Sequence, residues 1–435
     1  MDIGWAIVLI GVAAVFAALL LLVNGVIYSE LMNSEIPRGL GNRGKLHIVH
    51  GLLVGVAVVG RVLERLGLCH QVSFTRWFRS RFLTRVNPVP PGLRVMDRDF
   101  CGVPVRIYEP TTTSTAAASA SALSGLRRGL VYFHGGGWVM GSIDSADEVC
   151  RYLSKESGTT VVSVGYRLAP EHRYPAQLDD CQAATCHFLS VAEAEFGVDP
   201  GRVAVGGDGS GGNLAAALCL RLATTDNRGE EEEEKSGRGA LPCAQLLLCP
   251  ALQMADFSSP SYQQNRTVPP LYRGRSAFYF LQYLGSDATL CPDVLDGVHV
   301  PPEYRQRYRD WLAPSNLPPE CLARGYLRHP GSAEYDSVVY HAVKDGLRAE
   351  VSPLLADEAV LGKSPPTFLL TCEYDVLRDD GLLYRKRLLG LGVEVAWQHV
   401  GDGFHGVVNF VNWRWLSFPA AARALDAVVA FVETL

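Results

Sequence analysis

The sequence predicts an α/β protein built on a mostly parallel sheet wrapped by helices, with a helical cap over the sheet and one membrane-spanning helix ahead of it. Three observations lead there. Short β-branched or leucine-rich runs alternate with helical patterns through most of the chain, the arrangement of parallel sheets covered on both sides. One long interval rich in Pro, Tyr and Arg interrupts that alternation. The first 29 residues contain an apolar stretch free of charged side chains.

Taken in order, residues 3–29 carry no charge and are apolar from Ala6 to Val23. About 20 apolar residues suffice to cross the hydrocarbon core as a helix. The run exceeds the ~7–15 residues of a cleaved signal core and lacks a basic segment before it, so residues 1–29 read as an uncleaved anchor. A second apolar run, 48–60, has thirteen residues and includes His50. It is short for a span and fits a buried or interfacial helix, within a helical or cap segment assigned to 30–105. Strands are expected at 130–133, 160–164, 202–205, 245–249, 368–371 and 393–397, and helices at 144–155, 176–194, 213–224, 379–391 and 419–434. Most of these strands are continuous apolar runs, as in sheets buried on both faces. They assign 106–435 to the main domain, with residues 251–358 as a cap insertion over the carboxyl edge of the sheet, where ligands bind in open α/β folds.

Composition narrows the function classes. The 435 residues are 48% hydrophobic and 20% charged, with a formal net charge of -5, values typical of a globular chain with ample core. No clustered basic face suits nucleic acid. Eleven cysteines are scattered without a CxxC pair, which argues against zinc and for buried thiols. Two low-complexity stretches, 111–125 and 226–239, read as solvated loops. A single sequon, Asn265-Arg266-Thr267, would accept an N-glycan if the domain faced a lumen.

Four segments carry chemistry. After the strand 130–133 comes His134-Gly135-Gly136-Gly137-Trp138. Three successive glycines cost backbone entropy and bury no side chain, but they let N–H groups turn toward a developing oxyanion. Between a strand and an alanine-rich helix lies Gly206-Gly207-Asp208-Gly209-Ser210-Gly211-Gly212. A nucleophile elbow requires small residues two before and two after the nucleophile. Gly207 and Gly211 satisfy that spacing about Gly209, while the elbow's hydroxyl is one residue later, at Ser210. Asp375, after the strand 368–371, and His405, in Gly403-Phe404-His405-Gly406, complete the chain order nucleophile, acid, base.

These segments, with Tyr166-Arg167-Leu168-Ala169-Pro170-Glu171, Pro250-Ala251-Leu252-Gln253, Leu377-Arg378-Asp379-Asp380-Gly381 and the N-terminal anchor, resemble the hormone-sensitive-lipase branch of the α/β-hydrolase fold, and within it the arylacetamide deacetylase family. The resemblance runs from the anchor to the final helix. It implies a single-pass type II protein of the endoplasmic reticulum membrane whose lumenal domain hydrolyses carboxylic esters, arylamides or lipid esters without metal or cofactor. The positive-inside rule points the other way, because Arg38, Arg43 and Lys45 follow the helix. Carried over by position, Asp375 and His405 match the family's acid and base, and Gly136 and Gly137, beside Gly135, its oxyanion donors. The family's serine falls on Gly209. Two readings stay open: Ser210 acts as a shifted nucleophile with Gly211 as the further oxyanion donor, or the site binds lipid or ester ligands with little turnover. Asp208 reads as support for the turn.

Overall fold

A computed structural model describes residues 3–33, 36–83, 87–111, 125–225, 241–327 and 334–435. The low-complexity stretches 112–124 and 226–239 lie outside the described residues. Eight strands form one sheet: β1 Leu93–Phe100, β2 Val103–Pro110, β3 Arg127–Phe133, β4 Thr160–Val164, β5 Val198–Asp208, β6 Gln245–Leu248, β7 Thr367–Tyr374 and β8 Val395–Phe404. Their spatial order is β1-β2-β4-β3-β5-β6-β7-β8. The β1–β2 and β2–β4 pairs are antiparallel, and every other pair is parallel. Helices of eight or more residues are α1 Ile3–Asn33, α2 Arg43–Arg65, α3 Gln71–Phe78, α4 Ile143–Ser157, α5 Ala176–Phe196, α6 Ser210–Thr225, α7 Arg273–Leu284, α8 Arg378–Gly390 and α9 Pro419–Val432.

The two-residue period of a strand sends alternate side chains to opposite faces. Val131 and Phe133 of β3 therefore join Phe188, Leu214 and Leu218 on one side, while Leu130 and Tyr132 join Val149, Leu153 and Leu425 on the other. Helices α5, α6 and α8 thus cover one face, and α4 and α9 the other. Helix α6 is buried over nearly its whole length, the condition of a helix apolar all round.

The sheet begins earlier than the sequence suggests. Strand β1 and β2 form a hairpin across Cys101 and Gly102, both at positive φ (55° and 83°), the backbone a tight two-residue turn requires. The expected boundary between 105 and 106 consequently falls inside β2. Helix α2, at 23 residues, is longer than the thirteen-residue apolar run, and by length and composition it could itself cross a membrane. Its Leu46, Val49 and His50 are nevertheless buried in the protein. The interval 251–358 is a series of short helices around α7.

Candidate functional site

Strand register assembles the site. In the parallel pair β3–β5, Phe133 stands opposite Gly207, so the next residues of both chains, His134 and Asp208, leave the sheet side by side. In β7–β8, Tyr374 stands opposite Phe404, which makes Asp375 and His405 neighbours. Nδ1 of His405 lies 2.9 Å from Asp375 Oδ2, and a carboxylate there makes Nδ1 the protonated ring nitrogen. Asp375 Oδ1 accepts from the Leu377 N–H at 2.9 Å, fixing the carboxylate plane.

Glycine is dictated at the elbow by close approach. A Cβ on Gly207 would lie 2.2 Å from the Phe133 carbonyl oxygen, and one on Gly211 only 1.9 Å from the same atom. The turn residue between them, Gly209, sits at φ +55°, and a Cβ there would meet the His405 ring alone, at 3.3 Å from Nε2 and 3.5 Å from Cε1. Position 209, in the left-handed conformation of a strained turn, therefore faces the imidazole. Ser210 opens α6. It is buried, and its hydroxyl lies on the side of Tyr166, close enough to influence that phenol, without a well-formed hydrogen bond. No hydrogen bond joins Ser210 to His405.

The triple-glycine loop is tied to the elbow through Asp208. Oδ1 of Asp208 accepts from the Gly135 N–H at 2.9 Å and the Tyr132 hydroxyl at 2.8 Å, and Oδ2 from the Asn409 amide at 2.8 Å. One carboxylate thus joins the ends of β3 and β5 to the segment after His405. The Tyr166 hydroxyl donates to the His134 carbonyl at 2.6 Å, with its ring stacked on the His134 imidazole at 4.3 Å. Gly136 and Gly137 have φ of +130° and +64°. Tyr279 of α7 closes over Gly137, where a Cβ would come within 2.4 Å of its ring. Trp138 is not free to line a pocket, being buried and stacked on Tyr283 at 4.4 Å.

Electrostatics separate the two histidines. Burial pushes His134 down to about 4, so it stays neutral. Burial also pulls His405 down, but the Asp375 charge, its hydrogen bond to the ring, and Asp208 outweigh it and raise the imidazole above its ordinary value. An imidazole with a raised pKa in front of a glycine-lined turn is chemically suited to proton transfer. Among the described residues no group of three His, Cys, Asp or Glu could hold a metal ion.

The sequon asparagine plays a different part from the one its motif suggests. Asn265 is fully buried, and its amide donates to the carbonyls of Asp375 at 2.9 Å and Glu373 at 3.1 Å. The nitrogen a glycan would need is thus the one that holds the loop at Asp375. Glu373 is held down to about 2: burial opposes this, but His399, Arg378 and Arg324 outweigh it. It serves as an ion-pair anchor. Sequence reasoning did not single out Asn265, Asn409 or Tyr279 for these contacts, since each lies far along the chain from the group it touches. No disulfide joins the eleven cysteines, and the Sγ atoms of Cys249 and Cys372 stand 3.5 Å apart across β6 and β7.

A tight glycine turn, a glycine-rich loop and a hydrogen-bonded Asp–His pair thus gather at successive ends of a mostly parallel sheet. A family profile for the alpha/beta hydrolase fold matches residues 130–297 and 312–409, and the chain belongs to that family. Full-length similarity then places it among the arylacetamide deacetylase-like proteins. It is 37% identical to arylacetamide deacetylase-like 3 of Mus musculus over 428 residues, 98% of each chain. It is 33% identical to neutral cholesterol ester hydrolase 1 of Rattus norvegicus, over 96% of this chain and 97% of that one. Among solved structures, an esterase of Pyrobaculum calidifontis aligns with a TM-score of 0.57 at 26% identity, over 83% of this chain and 92% of the other.

Proposed function

We propose that the protein is a carboxylic ester hydrolase acting on aryl or lipid esters. In this reading it is held by α1 in the endoplasmic reticulum membrane as a single-pass type II protein with its main domain lumenal. The similarity to proteins named as deacetylase-like, as a cholesterol ester hydrolase and as an esterase supports the reaction class. The charge-free stretch of α1 from Ile3 to Ser29 supports the anchor.

The observation that carries the mechanism is the 3.3 Å between His405 Nε2 and a Cβ built on Gly209. An oxygen in the space of a side chain at 209 falls within hydrogen-bond reach of the base. In a one-residue shift along a helix a side chain rotates by about 100° and moves ~1.5 Å, and Ser210 accordingly lies toward Tyr166 instead. The attacking oxygen is therefore assigned to water at Gly209. His405 Nε2 takes a proton from this water as its oxygen bonds to the ester carbonyl carbon, and Asp375 stabilises the imidazolium. N–H groups of the Gly135–Gly137 loop and of Ser210, the residue after position 209, receive the tetrahedral oxyanion. The carbon–alkoxy bond then breaks, and the imidazolium returns its proton to the leaving alkoxide, giving acid and alcohol.

A second reading is favoured by the same glycine. Without a nucleophilic side chain, the pocket would bind esters and turn them over only at the residual rate of an oxyanion hole, roughly 10³–10⁴ over water. Hydrolysis of p-nitrophenyl butyrate by the wild type, His405→Ala and Ser210→Ala separates the two. The proposal expects turnover abolished by His405→Ala and retained by Ser210→Ala. Turnover indifferent to His405 supports the binding reading, and loss in Ser210→Ala would restore that serine as nucleophile.

A further inference from the structure

The segment joining α1 to the sheet presents a series of large apolar side chains that the protein leaves uncovered, and clustered exposure of that kind marks interaction surfaces. On α2, many side chains are only half-buried, and Ile48 and Leu52, one helical turn apart, are exposed. Leu66 and Leu68 in the turn to α3 are 66% and 68% exposed, and beyond them stand Trp77 at 55% and Phe82 at 57%. These last two form an aromatic group with Phe74 and Phe78, with ring centroids 4.9–6.3 Å apart. Side chains of this kind are costly in water and stabilising at a bilayer boundary.

That surface sits at the candidate site. Val72 of α3 packs with Val139, Met140 and Ala169, and Tyr279 joins the same cluster. Arg76 Nε donates to the Val139 carbonyl at 2.7 Å, and its guanidinium pairs with Glu171 at 2.8 Å. Val139 follows Trp138 in the glycine loop, and Tyr279 is the ring over Gly137. The helix that carries exposed Trp77, and leads directly into Phe82, is thus the helix that clamps the glycine loop.

Two features identify what meets it. Helix α1 rests on α2, with Ile27 Cδ1 only 3.1 Å from a Cβ built on Gly55, while α1 exposes Val8, Leu9, Ile10 and Leu21 elsewhere. A bilayer that accepts α1 therefore also meets the uncovered side of α2. Exposed Arg61, Arg65 and Arg81 flank the apolar residues, and the nearby acid, Glu64, is engaged with Gln71 and His70. Arginines that can reach lipid phosphates beside aromatic rings match the interfacial zone found at both faces of a membrane.

We propose that this face of α2, α3 and the following turn beds into the lipid bilayer beside the site, so that an acyl ester dissolved in the membrane reaches His405 from the membrane side. The bedding stands on its own observations, and the ester route rests on the hydrolase reading above. The test uses the full chain in phosphatidylcholine–phosphatidylserine vesicles with brominated acyl chains. Bromine should quench Trp77, so wild type should be quenched more than Trp77→Phe, with Trp5 of α1 common to both. Equal quenching overturns the bedding, as does a cross-linked dimer through Trp77→Cys that excludes lipid. In Trp77→Ser/Phe82→Ser, the ratio of vesicle-ester to soluble-ester turnover should fall about tenfold, equivalent to about 1.4 kcal/mol. An unchanged ratio overturns the entry route. A wild type inactive on both substrates would sink the hydrolase reading while the quenching result still judged the membrane contact.

Discussion

Replacing Gly209 by serine should convert a general-base site into a covalent one. The Cβ meets nothing within 4 Å except the His405 ring, 3.3 Å away at Nε2, so the imidazole need yield by only a few tenths of an ångström. A non-glycine residue at φ +55° costs about 1–2 kcal/mol, a modest loss of Tm in a chain this size. The gain follows from comparing routes. Deleting a triad nucleophile lowers kcat by about 10⁶ in a well-studied protease, and a positioned general base acting on water recovers roughly 10²–10⁴. Gly209→Ser should therefore raise ester turnover by ~10²–10⁴ and create a site labelled by a fluorophosphonate at residue 209. Stopped-flow hydrolysis of an activated ester, with peptide mapping of the label, measures both. A folded variant with neither gain nor label would refute the placement of His405 against this position.

Activity should fall as pH drops through the raised His405 pKa, placing the acid limb above the ordinary histidine value of about 6.5. Asp375→Asn removes the charge that raises it, so that limb should move down while turnover drops by about 10²–10⁴. The same sign makes the His405–Asp375 contribution to stability complete below pH ~6.5 and progressively lost as pH rises through the folded value, a trend visible in urea midpoints. Asp208→Ala leaves the Gly135 N–H, Tyr132 hydroxyl and Asn409 amide without their acceptor, and should cost roughly 3–5 kcal/mol by chemical denaturation. Asn265→Gln expressed in the secretory pathway should match the wild type in electrophoretic mobility before and after endoglycosidase treatment, and a wild-type shift absent from the variant would contradict the buried amide.

Much of this arrangement is legible from residues alone, for reasons that also explain what is not. The central strands are runs such as Leu246-Leu247-Leu248, buried on both faces, and such runs stand out in any sequence. Strand β1 does not, because it is an edge strand carrying Arg94, Asp97, Arg98 and Asp99. Its pairing is supported by Arg106 of β2, which bonds Asp97 at 2.7 Å and Asp144 at 2.8 Å, contacts that no local pattern announces. Asp375 and His405 are visible as polar residues just past two strand ends, and register brings them together. The glycine spacing about 209 is equally visible. Which way Ser210 points is not, since it depends on where α6 begins.

The direct test of the account is intact-protein mass spectrometry of the wild type after exposure to a fluorophosphonate and, separately, during turnover of a slow ester. Water at Gly209 as nucleophile predicts hydrolysis that requires His405 but leaves no covalent adduct on the protein. A stoichiometric adduct mapped to Ser210, or hydrolysis undiminished in His405→Ala, would contradict it.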